Sequence, residues 1–460
     1  MTWPATLFAG RRFAVLGLGR NGAPAAAGLA AMGAHVTAWD DNEAARSAAL
    51  ALPLGEGRGE GRCTLRDPAP DIAAYDALIL SPGIPHHLPT PHPTAAAAIA
   101  AGIPIWTDAE LLYRAVRAAG SQARFVGVTG TNGKSTTTAL IAHILEQAGR
   151  QVESGGNLGP AALGLSLLDH NGLYVLEMSS YMLERIERLR FDAAVMLNLS
   201  PDHLDRHGDM AGYAAAKRAI FDRQEIGDLA VVGTDDALSR AMAADLAAIT
   251  VSGEHEADVW FDGAELRDAT GPLFTMAEAA ALPGRHNAQN AAAAAVVTRH
   301  LGVSRDQLVR GLRSFPGLPH RQARIATIGG VTYIDDSKAT NADAAATALR
   351  CYDRIVWIAG GLAKAGGIAP LAPFFPRIAH ALLIGQDGPA LAAQLGGVPH
   401  QIVDTLERAV PAARDAARRT GAPVVLLSPA CASFDQFTGF DARGRRFAEL
   451  VHGLAQEEAA

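Results

Sequence analysis

The sequence predicts an α/β protein of three domains organised around mostly parallel sheets. Three observations carry that prediction. Short apolar runs alternate with helix-period segments from end to end. Glycine-rich turns follow several of these runs, where an open α/β sheet binds its ligands. At 460 residues the chain exceeds what one core organises comfortably.

In chain order, residues 12–18 form an apolar strand, 23–32 a small-residue helix and 35–40 a second strand. Residues 76–81 form another strand, ending at Ser81-Pro82-Gly83. A Pro/His-rich stretch, 86–93, precedes an alanine helix and a strand at 103–106. A helix through Arg117 leads to a new strand at 124–129, and the first boundary is set near residue 112. The middle unit continues through strands at 174–177 and 193–199, a hairpin-like stretch at 259–276 and a long alanine helix after Asn290. The Gly/Pro joint at 315–319 marks the second boundary. Strands at 331–335, 355–360, 380–384 and 424–428 then alternate with helices. The expected domains are 1–112, 113–317 and 318–460.

With 49% hydrophobic and 19% charged residues, the chain can bury a core, which excludes disorder as its main character. A net charge of −7 provides no overall basic field, which argues against a nucleic-acid binder. Cys63, Cys351 and Cys431 are odd in number and far apart, so they suit neither a disulfide framework nor a zinc site. No uncharged apolar run is long enough to span a bilayer, and the first ten residues lack the pattern of a secretory leader. A soluble cytoplasmic protein is expected.

Gly17-Leu18-Gly19-Arg20-Asn21-Gly22 lies between a strand and a helix, with Asp40 ending the next strand. This is the pattern of a dinucleotide turn, in which backbone N–H groups meet phosphate and an acid meets a ribose. Nucleotide-sugar binders use similar turns, and a bare tight turn needs no ligand, so the pattern alone leaves the ligand open.

Gly127-Val128-Thr129-Gly130-Thr131-Asn132-Gly133-Lys134-Ser135-Thr136 is more specific. It follows an apolar strand and opens a helix, as a P-loop does. Backbone N–H groups cradle phosphate, Lys134 neutralises it, and the Ser135 hydroxyl can meet Mg²⁺. Val128 occupies the first glycine position of the general motif, with Gly127 one residue earlier. ATP binding follows from this segment.

Glu177 ends an apolar strand, where a P-loop protein places a metal-directed carboxylate; a dipole-favoured helix-start acid is the alternative. Asn198 to His207 follows another strand and holds Asp202, His203, Asp205 and Arg206. Asn287 and Asn290 either reach an adenine edge or cap a helix. The C-terminal third carries Leu318-Pro319-His320-Arg321, Asp335-Asp336-Ser337-Lys338-Ala339-Thr340-Asn341, Gly360-Gly361-Leu362-Ala363-Lys364 and Ser428 to Asp435. The basic residues number 40, yet only four are lysines: Lys134, Lys217, Lys338 and Lys364. In an arginine-preferring chain a retained lysine points to a need for a primary amine or a compact charge.

These motifs, in this order and over nearly the whole chain, resemble the Mur ligase family of ATP-dependent amide-forming enzymes. The N-terminal glycine turn, Ser81-Pro82-Gly83, the Asp336–Asn341 run and the segment from Leu427 to Phe437 resemble its D-glutamate-adding branch. The resemblance implies a cytoplasmic, monomeric enzyme of peptidoglycan precursor synthesis that adds D-glutamate to UDP-N-acetylmuramoyl-L-alanine through an acyl phosphate. It further implies that Gly130, Thr131, Asn132, Gly133, Lys134, Ser135, Thr136, Asn287, Asn290, Arg321 and Asp336 bind ATP. Ser135 and Glu177 would hold one Mg²⁺, and His203 with a carbamylated Lys217 the second. Arg20, Asn21, Asp40, Asp41, Ser81 and Asn157 would bind the UDP substrate, although Asp41-Asn42 stands where the family is expected to carry a Thr-Arg type pair. Thr340, Lys364, Ser433, Phe434 and Phe440 would orient D-glutamate, and Lys338 would lie near the reaction centre. All four lysines thus fall on family functional positions. Gly360 to Lys364 departs mildly, with Ala363 in place of a glycine.

Two other classes stand beside this one. An NAD(P)-dependent dehydrogenase with an added ATPase module rests on the N-terminal turn alone, and a nonenzymatic ATP-switched protein rests on the P-loop alone. Cofactor binding and ATP turnover separate them.

Overall fold

The computed structural model of the protein describes residues 2–50, 61–157 and 159–459. Contacts divide the chain into two compact units. The first comprises Met1–Glu278 and Asn287–Phe315, the second Ala279–His286 and Pro316–Ala460.

The first unit holds two sheets. One contains β1 (Arg12–Leu16), β2 (His35–Trp39), β3 (Arg62–Leu65), β4 (Ala77–Leu80) and β5 (Ile105–Trp106). Its order is β3-β2-β1-β4-β5, parallel throughout. The central strands β1 and β4 are almost continuously buried, as strands covered on both faces must be. Because β1 pairs with both β2 and β4, the connections leave its carboxyl end in opposite directions and open a crevice there.

The second sheet contains β6 (Arg124–Thr129), β7 (Val152–Gly156), β8 (Leu173–Glu177), β9 (Ala193–Met196), β10 (Leu229–Gly233), β11 (Ile249–Ser252), β12 (Val259–Phe261), β13 (Glu265–Asp268) and β14 (Gly271–Thr275). The order is β14-β13-β12-β11-β10-β9-β6-β8-β7. Strands β6 to β12 pair in parallel, and β12, β13 and β14 form an antiparallel meander. The predicted hairpin at 259–276 is therefore a three-stranded meander. Its first turn is set by Asp262, whose carboxylate accepts from the N–H groups of Ala264 and Glu265, with Gly263 at φ +108°.

The second unit carries β15 (Ala323–Ile328), β16 (Val331–Asp335), β17 (Ile355–Gly360), β18 (Ile378–Ile384), β19 (His400–Asp404) and β20 (Val424–Leu427), in the order β15-β16-β20-β17-β18-β19. Only β15 and β16 pair antiparallel, through a turn at Gly329 and Gly330, both at positive φ.

The strands that the apolar pattern did not single out include β3, β7, β15 and β19, all at sheet edges. Each has residues facing solvent, so its sequence lacks a continuous apolar run. The alanine helix is Arg285–His300 and begins before Asn287, so Asn287 and Asn290 lie inside its first turns and do not cap it.

Residue 112 falls within the helix Asp108–Ala118, which Thr107 caps by accepting from the Glu110 N–H at 3.2 Å. The Glu110 carboxylate is fully buried and carries this helix onto the segment before β9. It accepts from the backbone N–H groups of Glu187, Arg188 and Leu189 at 2.8–3.0 Å and from Arg114 Nε at 2.6 Å. Removing the acceptor would leave the N–H of buried Leu189 without a partner, would free those of Glu187 and Arg188, and would take one of the two carboxylates from Arg114, which keeps Glu187. Glu110→Ala is therefore expected to destabilise the first unit by about 3–5 kcal/mol, read as a lowered urea midpoint in tryptophan fluorescence.

Candidate active site

The P-loop lies where the topology predicts a site, because β6 is flanked by β8 and β9 and its chain leaves into the helix Lys134–Gln147. Gly130 at φ +146° and Gly133 at φ +86° allow the loop to turn its N–H groups inward. A Cβ on Gly133 would lie 2.4 Å from Asn290 Oδ1, so Asn290 packs directly on the loop, and its amide donates to Asn287 Oδ1 at 3.1 Å. Asn198 clamps Asn132 from the end of β9: its Oδ1 accepts from Asn132 N–H at 2.8 Å and its Nδ2 donates to Asn132 O at 3.1 Å. The Thr131 hydroxyl accepts from Ser200 N–H at 3.0 Å. Lys134 Nζ donates to the carbonyls of Gly130 and Thr131 at 2.8 and 2.7 Å. Ser135 is buried at the first turn of the helix, and Thr136 follows it there.

Glu177 ends β8 in register with Val128, and its side chain is buried. Asn157 Nδ2 donates to Glu177 Oε1 at 2.8 Å, while Oε2 is buried with no hydrogen-bond partner among the described residues. A buried carboxylate oxygen without a donor is the environment a cation completes. Asn157 is thus engaged with Glu177, and Arg20 donates to the nearby Gly159 carbonyl at 2.9 Å.

Lys217, on the helix Met210–Arg218, is almost wholly buried. Its amine donates to Gly130 O at 2.8 Å and to Thr129 Oγ1 at 3.4 Å and lies 4.7 Å from the Tyr213 ring centroid. Burial, and then the charge of Lys134, hold its pKa well below the ordinary lysine value. His203 is half-exposed at φ +53°, with Nε2 3.3 Å from Asp202 and its ring 4.9 Å from that of Tyr181. Desolvation lowers its pKa. Among the described residues no group of three or more His, Cys, Asp and Glu side chains has metal-binding geometry. A cation here would therefore rely on a hydroxyl, one carboxylate and phosphate oxygens, the usual manner of Mg²⁺.

At the N-terminal turn Asp40 Oδ2 accepts from Leu18 N–H at 2.7 Å and Oδ1 from Asn42 N–H at 2.9 Å. Ser81 donates to Gly17 O at 2.9 Å, joining the ends of β1 and β4. Asn21 Nδ2 donates to the buried Asp108 at 3.0 Å. Asp41 is held by His92 Nε2 at 2.9 Å and by Trp39 Nε1 at 3.1 Å. Arg46 stacks on Trp39 and donates to the carbonyls of Asp40 and Asp41, so a guanidinium does stand beside this turn, one helical turn downstream.

In the second unit, Asp336 is buried, accepts from Ser428 Oγ at 2.7 Å and Gln322 N–H at 3.2 Å, and is pushed up to about 7 by burial. Arg321 lies in the same turn, beside His320, whose Nδ1 is 2.6 Å from Asp335. Lys338 Nζ sits 3.9 Å from the Phe440 ring centroid. Thr340 N–H donates to Lys338 O. Leu362 and Ala432 exchange backbone hydrogen bonds at 2.9 and 2.8 Å, which brings the loop of the exposed Lys364 beside buried Ser433 and exposed Phe434.

Three residues that sequence reasoning passed over organise these loops. Arg443 is fully buried and donates to Ser337 Oγ and O, Cys431 O and Gly360 O at 2.9–3.4 Å, tying the ends of β16, β17 and β20 together. Arg185, also buried, donates to Tyr181 O and to the carbonyls of Leu80, Ser81 and Pro82. His207 joins Ser180 to Glu184. Nothing in their local sequence separates these from surface arginines or an ordinary histidine.

Residues 128–298 match the family model described as the Mur ligase middle domain. The chain is 47% identical over 465 residues to the UDP-N-acetylmuramoylalanine--D-glutamate ligase of Paramagnetospirillum magneticum, covering 99% of each. It is 47% identical over 477 residues to the enzyme of that name from Rhodospirillum rubrum, covering 99% of this chain and 98% of the relative. For that of Caulobacter vibrioides the identity is 46% over 467 residues, with 98% of each covered. Among solved structures, the UDP-N-acetylmuramate-alanine ligase MurC of Thermotoga maritima superposes with a TM-score of 0.61 at 18% identity, covering 96% of this chain and 99% of that one. A MurF ligase from the same organism, solved in complex with ADP, gives 0.57 at 18% identity, covering 79% and 91%. These two show the fold. The chain belongs to the Mur ligase family, and within it to the UDP-N-acetylmuramoylalanine--D-glutamate ligases.

Proposed function

We propose that the protein is an ATP-dependent ligase that joins D-glutamate to UDP-N-acetylmuramoyl-L-alanine in cytoplasmic peptidoglycan precursor synthesis. The observation that carries this reading is the end-to-end match to enzymes named for that reaction, which leaves no domain of the chain outside it. The L-alanyl carboxylate attacks the γ-phosphate of ATP, giving an acyl phosphate and ADP. The uncharged amine of D-glutamate then attacks the acyl carbon, expels phosphate and loses its proton as the amide forms.

The first step brings two anions together, so charge compensation is the main task of the site. Gly130 to Thr136 cradle the phosphates and Lys134 turns from its loop carbonyls toward them. Asn287, Asn290, Arg321 and Asp336 serve the nucleotide. Bound magnesium would supply further charge compensation, held by Ser135 and Glu177 at one position and by His203 and a carbamylated Lys217 at a second. The buried, donor-less Glu177 Oε2 fits the first position. The buried amine of Lys217 fits the carbamate, because burial lowers its pKa and so raises the share of free amine, which adds CO₂ and releases a proton to leave a negative group.

Arg20, Asn21, Asp40, Asp41, Ser81 and Asn157 serve the UDP substrate within domain 1–112 and the edge of domain 113–317. In domain 318–460, Lys364, Thr340, Ser433, Phe434 and Phe440 orient D-glutamate, with Lys338 beside the reacting groups. Positioning of three substrates accounts for the remaining acceleration.

Phosphate release with ATP, Mg²⁺ and UDP-N-acetylmuramoyl-L-alanine is expected with D-glutamate and not with L-glutamate or without amino acid; release without amino acid dependence would reject the ligase reading. Lys134→Ala should lower the turnover by about 10²–10³-fold, as loss of a transition-state charge partner does, while the melting temperature stays near that of the native protein. Lys217→Arg should be nearly inactive, since a guanidinium cannot form the carbamate; full activity in steady-state kinetics would remove that assignment.

A further inference from the structure

His207 lies outside the roles assigned above, yet its surroundings are unusually complete. It ends the one-turn helix Leu204–His207, which His203 opens at positive φ and Gly208 closes at φ +82°. Its side chain is only 1% exposed. Nε2 lies 2.9 Å from Ser180 Oγ, and Nδ1 lies 2.8 Å from Glu184 Oε1, so both ring nitrogens are engaged with the segment that follows Glu177. The ring stacks on Tyr181 at 5.7 Å and 16°, and packs against Tyr213 at 5.4 Å. Ser, His and Glu are connected here as in a hydrolytic triad, but Ser180 is buried, so the arrangement serves as a clamp.

Each aromatic neighbour leads to one residue assigned to the second magnesium position. The Tyr181 ring packs against His203 at 4.9 Å and carries the Arg206 guanidinium at 4.4 Å, and Arg206 in turn donates to Gly83 O. The Tyr213 ring lies under the Lys217 amine, and its hydroxyl is 3.2 Å from Thr131 Oγ1 of the P-loop. A one-turn helix has no cooperative stability of its own, so its orientation must be imposed from outside. His207 supplies that restraint from both ends of its ring.

Resting on the ligase reading above, we infer that His207 is a positioning residue: held by Ser180 and Glu184 and packed between Tyr181 and Tyr213, it sets the orientation of His203 and Lys217 toward the second cation. Groups that orient metal ligands typically change metal affinity about 10–100-fold when lost.

The test uses the full-length protein and two variants. His207→Phe keeps the ring and loses both hydrogen bonds; Glu184→Gln alters only the partly exposed end of the clamp and guards against misfolding of the first. Hydrogen exchange is followed by mass spectrometry over residues 200–210, 124–129 and 173–177. Mn²⁺ binding in the presence of ADP is followed by electron paramagnetic resonance. Faster exchange confined to 200–210, with Mn²⁺ affinity lowered about tenfold in His207→Phe and less in Glu184→Gln, is expected. Unchanged exchange and Mn²⁺ affinity in both variants would overturn the inference. A loss of protection across all three segments would also overturn it, since His207 would then be a general packing residue. Neither readout needs turnover, so a native protein that fails to release phosphate with D-glutamate would reject the ligase reading and leave this result standing on its own.

Discussion

The structure depends on how it satisfies the carbonyl groups at the carboxyl ends of its parallel strands. A strand that stops beside a ligand site leaves buried backbone acceptors with no neighbour, and each unpaired one is costly. Here cationic side chains supply the donors. Lys134 and Lys217 share the Gly130 carbonyl, Arg185 covers residues 80–82, and Arg443 covers residues 337, 360 and 431. The same groups that close the strand ends also leave positive charge there, because carbonyls accept hydrogen bonds without neutralising the donor.

That double role links the fold to the chemistry. Arg185 and Arg443 form no ion pair among the described residues, and burial pulls both down to about 10, still far above neutrality. Buried, unneutralised cations favour whatever anion comes within range, and every substrate of the proposed reaction is anionic. Lys217 stands apart. Its burial lowers the pKa of the amine well below the ordinary lysine value, and this makes the lysine a candidate for covalent modification.

Much of the site could be read from residue order because its chemistry is local. The P-loop needs glycines at positive φ, a lysine and a hydroxyl within one turn, and these must be adjacent in sequence. Glu177 could be placed because an acid directly after an apolar strand stands at the carboxyl edge of the sheet, beside the P-loop. Asn157, expected beside the UDP substrate, meets Glu177 across 20 residues, a partner that no local spacing announces. The alanine helix begins earlier than its alanines, so Asn290 meets the P-loop from within it, with Asn287 bonded to Asn290. Edge strands escaped the apolar pattern because one side of each meets water.

The sequence by itself determined the α/β class, the family, the nucleotide loop and the four lysines worth following. Each of these is carried by short-range spacing or by residue chemistry that does not depend on neighbours far along the chain. Only the tertiary structure decided what Arg185, His207, Arg443 and Glu110 do. Their roles come from hydrogen-bond partners up to 106 residues away, and a buried guanidinium that closes three strand ends has the same local sequence as one that waves in solvent. Burial and the identity of distant partners separate the two, and both arise only when the sheets assemble.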